Sequence, residues 1–139
     1  MMPQEKERLL ALLTSGARWC RGSEALDAEG HAVHFDDPSA VAWDVTGAIC
    51  LLFGWQRATV LFEQLHRHIV GKRQTYNRPR RDAAIDAMVR LQEFNDMPET
   101  SFADLREQIE SMVVWRGAGA KVESTLDAPA ATGRAGPDE

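Results

Sequence analysis

The chain has 139 residues, of which 44% are hydrophobic and 27% charged, the balance of an ordinary globular protein and the length of one domain. Its net charge of −5 argues against a general polyanion binder, and no run of about 18 uninterrupted apolar residues suggests a membrane span. Residues 3–8 lack the basic-then-apolar order of a secretory signal, and two cysteines, Cys20 and Cys50, imply no disulfide framework, so a reducing cytoplasm is expected and no membrane partner.

The expected fold is mainly α: about five helices in one compact domain over residues 1–116, followed by a disordered tail at 117–139. The first helix is predicted over residues 3–15. Pro3 suits its first turn, and Leu9, Leu10, Leu12 and Leu13 give it an apolar side. From 21 to 37 the helical period stops. Gly22, Asp27, Gly30 and Asp36–Asp37 favour turns, so a short hairpin or irregular loop is expected there, pairing Ala25–Leu26 with Ala32–Val33.

Asp37–Pro38 reads as the N-cap and first position of a second helix running to about Phe53, with Val41, Val45, Ala48, Ile49 and Leu52 on one face. Gly54 marks a break or bend. Trp55, Ala58, Phe62, Leu65 and Ile69 then form the stripe of a third helix that ends near Gly71. Residues 72–79 read as a loop. A fourth helix is expected from Arg80 to Phe94, with Ala84, Ile85, Met88, Val89 and Leu91 facing inward. A fifth, capped by Thr100 or Ser101, carries Phe102, Leu105, Ile109, Met112 and Val113 and ends at Gly117 and Gly119. The Gly-, Ala- and Pro-rich residues beyond lack any apolar period, and burial there cannot offset the entropy of ordering.

Charge is unevenly distributed. Between Gln64 and Arg81 no residue is acidic, while six are basic; the rest of the chain holds 10 basic and 21 acidic residues, or −11. Arg67, Lys72, Arg73, Arg78, Arg80 and Arg81, with Tyr76 among them, could hold phosphates and stack a base, but a solvated loop that balances an acidic protein, or a contact for an acidic partner, is the favoured reading.

Three segments carry a resemblance. Residues 19–33 hold Trp19, Gly22, Ala25, Asp27, Gly30 and Val33; residues 37–48 hold Asp37, Pro38, Ala40, Val41, Trp43, Gly47 and Ala48; residues 94–100 hold Phe94, Asn95, Asp96, Pro98 and Thr100. In order and spacing the chain resembles a family of small bacterial and phage-associated proteins classed as a domain of unknown function. It departs from that pattern at Asp44, where a cysteine is common, and at Phe94, where a tryptophan is usual. The resemblance implies no activity. It does imply that the 19–48 and 94–96 segments meet in space.

The polar residues of these segments, Asp27, Asp44, Asn95 and Asp96, with Trp19 and Trp43, form the candidate ligand site. Carboxylates beside indoles could hold a small cation or exchange protons, whereas the structural reading makes them turn and cap residues with core tryptophans. His31 and His34, with Cys20 and Cys50, lack the two close pairs of a structural zinc site, and His66 and His68 fall on different helix faces. No cofactor, metal or catalytic group is expected. Three functions remain in order: a non-enzymatic interaction or regulatory protein, with a protein partner or self-association; nucleic-acid or phosphate binding through residues 66–81; and a small-ligand or enzymatic site around Asp27, Asp44 and Asp96.

Overall fold

A computed structural model describes residues 1–71 and 80–114, the side chains of residues 80–82 excepted. Among the described residues the chain is mainly helical, with four α-helices and a two-stranded sheet: α1 (Pro3–Leu12), β1 (Ala25–Asp27), β2 (Ala40–Trp43), α2 (Val45–Val70), α3 (Arg80–Asp96) and α4 (Phe102–Glu110). The fifth expected helix does not exist as a separate element, because the second and third are one. The expected tail at 117–139 and the loop at 72–79 lie outside the described residues.

Pro3 opens α1, and Glu5 accepts the Met2 N–H at 2.8 Å, satisfying a donor that the first turn cannot. Leu9 and Leu13 are fully buried against α2 and α4. Glu5 also accepts two hydrogen bonds from Arg57, at 2.7 and 2.8 Å, which ties α1 to α2.

The Asp37–Pro38 pair does not start a helix. Asp37 instead accepts the Ser39 N–H at 2.8 Å and the Ser39 hydroxyl at 2.7 Å, closing a turn. Residues 40–43 then pair antiparallel with β1, Ala25 opposite Trp43 and Leu26 opposite Ala42, with an irregularity between Leu26 and Asp27. Val41, expected on an inner helix face, is 38% exposed. The expected hairpin partner, 32–33, makes a single bridge from Ala32 to Leu26 and one hydrogen bond from Val33 N–H to the Ala25 carbonyl. Both Asp37 and Asp44 have cap chemistry; pairing with β1 makes residues 40–43 extended, and so the helix starts at the second.

Helix α2 begins after Asp44, whose carboxylate accepts the Gly47 N–H at 2.6 Å. Gly47 is fixed by close approach: a Cβ there would lie 2.2 Å from the Glu24 carbonyl oxygen. Gly54, at φ 78° and ψ 163°, kinks the helix without ending it, a backbone state that glycine alone adopts cheaply. The helix stops at Gly71, again with positive φ. At 26 residues, α2 is long and apolar enough by composition to cross a membrane, although half of its most apolar stretch is buried inside this fold.

Alanines let α2 and α3 approach. Ala83, Ala84, Ala87, Leu91 and Asn95 form the buried face of α3, and Ile85 and Val89, expected inward, are each 40% exposed. In α4, Ser101 and Asp104 cap each other's backbone N–H at 3.0 Å, and Leu105 and Ile109 complete the core with Ile49, Leu61, Phe62 and Leu65. Val113, expected on the α4 stripe, lies beyond the helix and is largely exposed.

Candidate functional site

The 19–48 and 94–96 segments meet at Asn95, which is fully buried. Its Oδ1 accepts the Trp19 indole N–H at 2.6 Å and the Val45 N–H at 3.0 Å. Its Nδ2 donates to the Cys20 carbonyl at 3.0 Å and to Asp96 Oδ1 at 2.9 Å. Two acceptor lone pairs and two donor hydrogens are thus all engaged, and the two N–H donors fix which amide end is oxygen. Val45 N–H is an orphan donor of the first turn of α2, so Asn95 acts as a second cap from another helix. Asp96 Oδ1 also accepts the Gly22 N–H at 3.0 Å.

Asp44 lies in the same neighbourhood, 2% exposed, accepting the Thr46 hydroxyl at 2.9 Å as well as the Gly47 N–H. Burial raises its pKa to about 6, against the pull of those two donors; Asp96 and Glu24 add to the rise. Asp27 sits apart, in the turn that closes β1, accepting the Glu29 and His31 N–H groups at 2.9 and 2.8 Å, of which the His31 bond most lowers its pKa. Asp27 therefore does not join Asp44 and Asp96.

The indoles already face cations of the chain itself. The Arg21 guanidinium lies 4.7 Å from the Trp19 ring centre, and that of Arg18 lies 5.7 Å from Trp43. Arg21 also donates to the Thr100 carbonyl, and the Trp43 N–H donates to the Phe35 carbonyl at 2.9 Å. Trp19, Asp44, Asn95 and Asp96 each have a structural task here, and Trp43 joins them through Cys20, whose N–H donates to the Trp43 carbonyl at 3.1 Å.

Burial pushes the thiol of Cys20 up to about 12 and that of Cys50 up to about 11, with nearby carboxylates adding to both, so neither supplies a thiolate near neutral pH. Among the described residues the side chains close enough to share a metal ion are Asp27, Glu29 and His31, on an exposed or half-exposed turn, and not the Cys–His set. Of the expected anion site, Lys72, Arg73, Tyr76 and Arg78 lie outside the described residues, as do the side chains of Arg80 and Arg81. Arg67 is on the exposed side of α2.

Two features escaped the sequence reading. One is an apolar strip. Trp55 is 51% exposed, and with Met88 it walls a common cavity; on α3 Ile85 lies one turn before Met88 and Val89, and Ile85 and Val89 are each 40% exposed. The other is that cavity itself, about 140 Å³, between the sheet side (Glu24, Phe35), the first turns of α2 (Thr46, Gly47, Cys50) and Trp55, Met88 and Gln92. The signal available for both was Trp55 itself, a large aromatic directly after a glycine break. A wider hollow of about 430 Å³ lies between Met1, Gln64, His68 and Met112, bordered by Gly71 and Val113 near residues outside the description.

Compared with known proteins, the chain matches no family model, no curated protein and no solved structure, so the resemblance rests on its three segments alone.

Proposed function

We propose that this chain is a non-enzymatic interaction module that associates with a second copy of itself through the strip formed by Trp55, Ile85, Met88 and Val89. The observation that carries this reading is the exposure of three large apolar side chains on the packed pair α2 and α3, Trp55, Ile85 and Val89, while the polar residues of the Asn95 junction are occupied within the chain. A small domain buries a limited share of its apolar surface, and covering such a strip adds to that burial. The buried and half-buried free thiols suit a reducing, cytoplasmic setting.

Sedimentation across a concentration series tests this reading. The expected result is a concentration-dependent doubling of mass that disappears in the Ile85→Asp/Val89→Asp double variant. A wild-type protein that stays monomeric at every concentration, or a variant that dimerises equally well, overturns it.

A further inference from the structure

The cavity beside Trp55 has a chemistry of its own. At about 140 Å³ it is close to the roughly 150 Å³ that accommodates a benzene-sized guest in a protein interior. Its lining residues include two aromatics, Trp55 and Phe35, and the flexible, polarizable Met88. One charged residue lines it, Glu24, and among the described residues no lysine or arginine does. Glu24 is held in place: its Oε2 accepts the Phe35 N–H at 2.8 Å and lies 3.5 Å from His34 Nε2. On its wall the Cys50 thiol is pushed up by burial first, with Glu24 and Asp44 adding to the rise, so both carboxyl groups lie within electrostatic reach of the cavity. An aromatic ring presents a negative face, and with a partly shielded carboxylate it favours a weakly hydrated cation over a neutral guest of equal size.

We propose that this cavity is a binding site for a small organic cation, an alkylammonium group, with Glu24 as its counter-ion and Trp55 and Phe35 as its aromatic walls. The ammonium enters from the open side next to Trp55, and its alkyl substituents fill the space against Met88. A free quaternary ammonium and the side chain of a lysine on another polypeptide share this chemistry. The site shares Trp55 and Met88 with the proposed self-association strip, so it is read at a protein concentration at which the chain is monomeric, where either proposal can fail without the other.

The experiment is a titration of the ¹⁵N-labelled protein with tetramethylammonium, n-butylammonium and neutral tert-butanol, following the Gly47, Cys50 and Gln92 amides at constant ionic strength. At least one cation is expected to saturate with a Kd on the order of 1–10 mM, as suits a ligand of so few atoms. Tighter binding of tetramethylammonium identifies a free quaternary ammonium as the source, and tighter binding of n-butylammonium a lysine side chain. Glu24→Gln, whose amide oxygen still accepts the Phe35 N–H, is expected to weaken the cation about tenfold and leave tert-butanol unchanged. Trp55→Leu, at a half-exposed position, is expected to weaken it by about the same factor. Binding of tert-butanol as tight as that of the cations, undiminished cation binding in folded Glu24→Gln and Trp55→Leu, or no saturable shift with any ligand overturns the proposal.

Discussion

At the N-terminal end of α2, Asn95 closes four hydrogen bonds within the chain, and Asp44, Asp96 and Gly22 complete the set. Past the Gly54 kink, Trp55, Ile85 and Val89 present apolar surface with no covering element among the described residues. The same two helices thus carry a junction whose polar groups are used up internally and a face whose apolar groups are left over. The contrast teaches where to look for function. Polar residues in motif-like order attract notice in a sequence, but here they fasten segments, and the exposed apolar surface is built from side chains that look like core.

The sharpest way to break this contrast is Asn95→Ala. It strands the Trp19 and Val45 N–H groups and the Cys20 carbonyl in a buried setting, each costing about 1–3 kcal/mol, so the loss in chemical denaturation is expected to be about 3–5 kcal/mol. A loss below about 1 kcal/mol places the fastening elsewhere.

Asp44 gives a smaller effect with a pH signature. Its carboxyl keeps its proton up to about pH 6 in the fold and releases it near 3.8 when unfolded. Between those values the folded state binds more protons, so this group's contribution falls as pH rises from about 4 to 6 and is worth about 3 kcal/mol in all. Asp44→Asn retains cap chemistry without the charge. The stability difference between Asp44→Asn and the wild-type protein is therefore expected to shift in favour of the variant across that window. Parallel stability curves, measured by denaturation at pH 4, 5, 6 and 7, sink the assignment.

The smallest effect sharpens the other side. Ile85→Asp/Val89→Asp is expected to change monomer stability by less than about 1 kcal/mol, measured at low concentration, because both side chains already face outward. A loss several times larger shows that these side chains belong to the core after all.

Much of the fold was legible. Pro3, Ser101 and Gly71 mark helix ends by local chemistry, and each acts as that chemistry dictates. The meeting of residues 19–48 with 94–96 was legible only from the resemblance of three separated segments. Two things were not legible, for distinct reasons. Asp37 and Asp44 are both competent caps, and the choice between them is made by β1 and by the Asn95 oxygen, 50 residues away in sequence from Val45. On α3, Ala84 and Leu91 face inward as expected, but apolar rank also favoured Ile85 and Val89, whereas close packing against α2 selects Ala83 and Ala87, because small side chains let the helix backbones approach. The candidate cavity was hidden for the same kind of reason. Glu24, Phe35, Trp55 and Gln92 lie on four segments and share no spacing that a linear reading can detect.

The long reach of Asn95 bears on how the protein is born. Synthesis proceeds from the N-terminus at about 5–20 residues per second, so Val45 leaves the peptidyl-transferase centre roughly 3–10 s before the residue that caps it. During that interval the indole of Trp19, the Cys20 carbonyl and the first turn of α2 are without their common partner, and the apolar length of α2 is completed, at Val70, halfway through it. The nascent chain therefore passes through a stage with a long greasy helix and no lock, and its closure waits for a single amide near the end of α3.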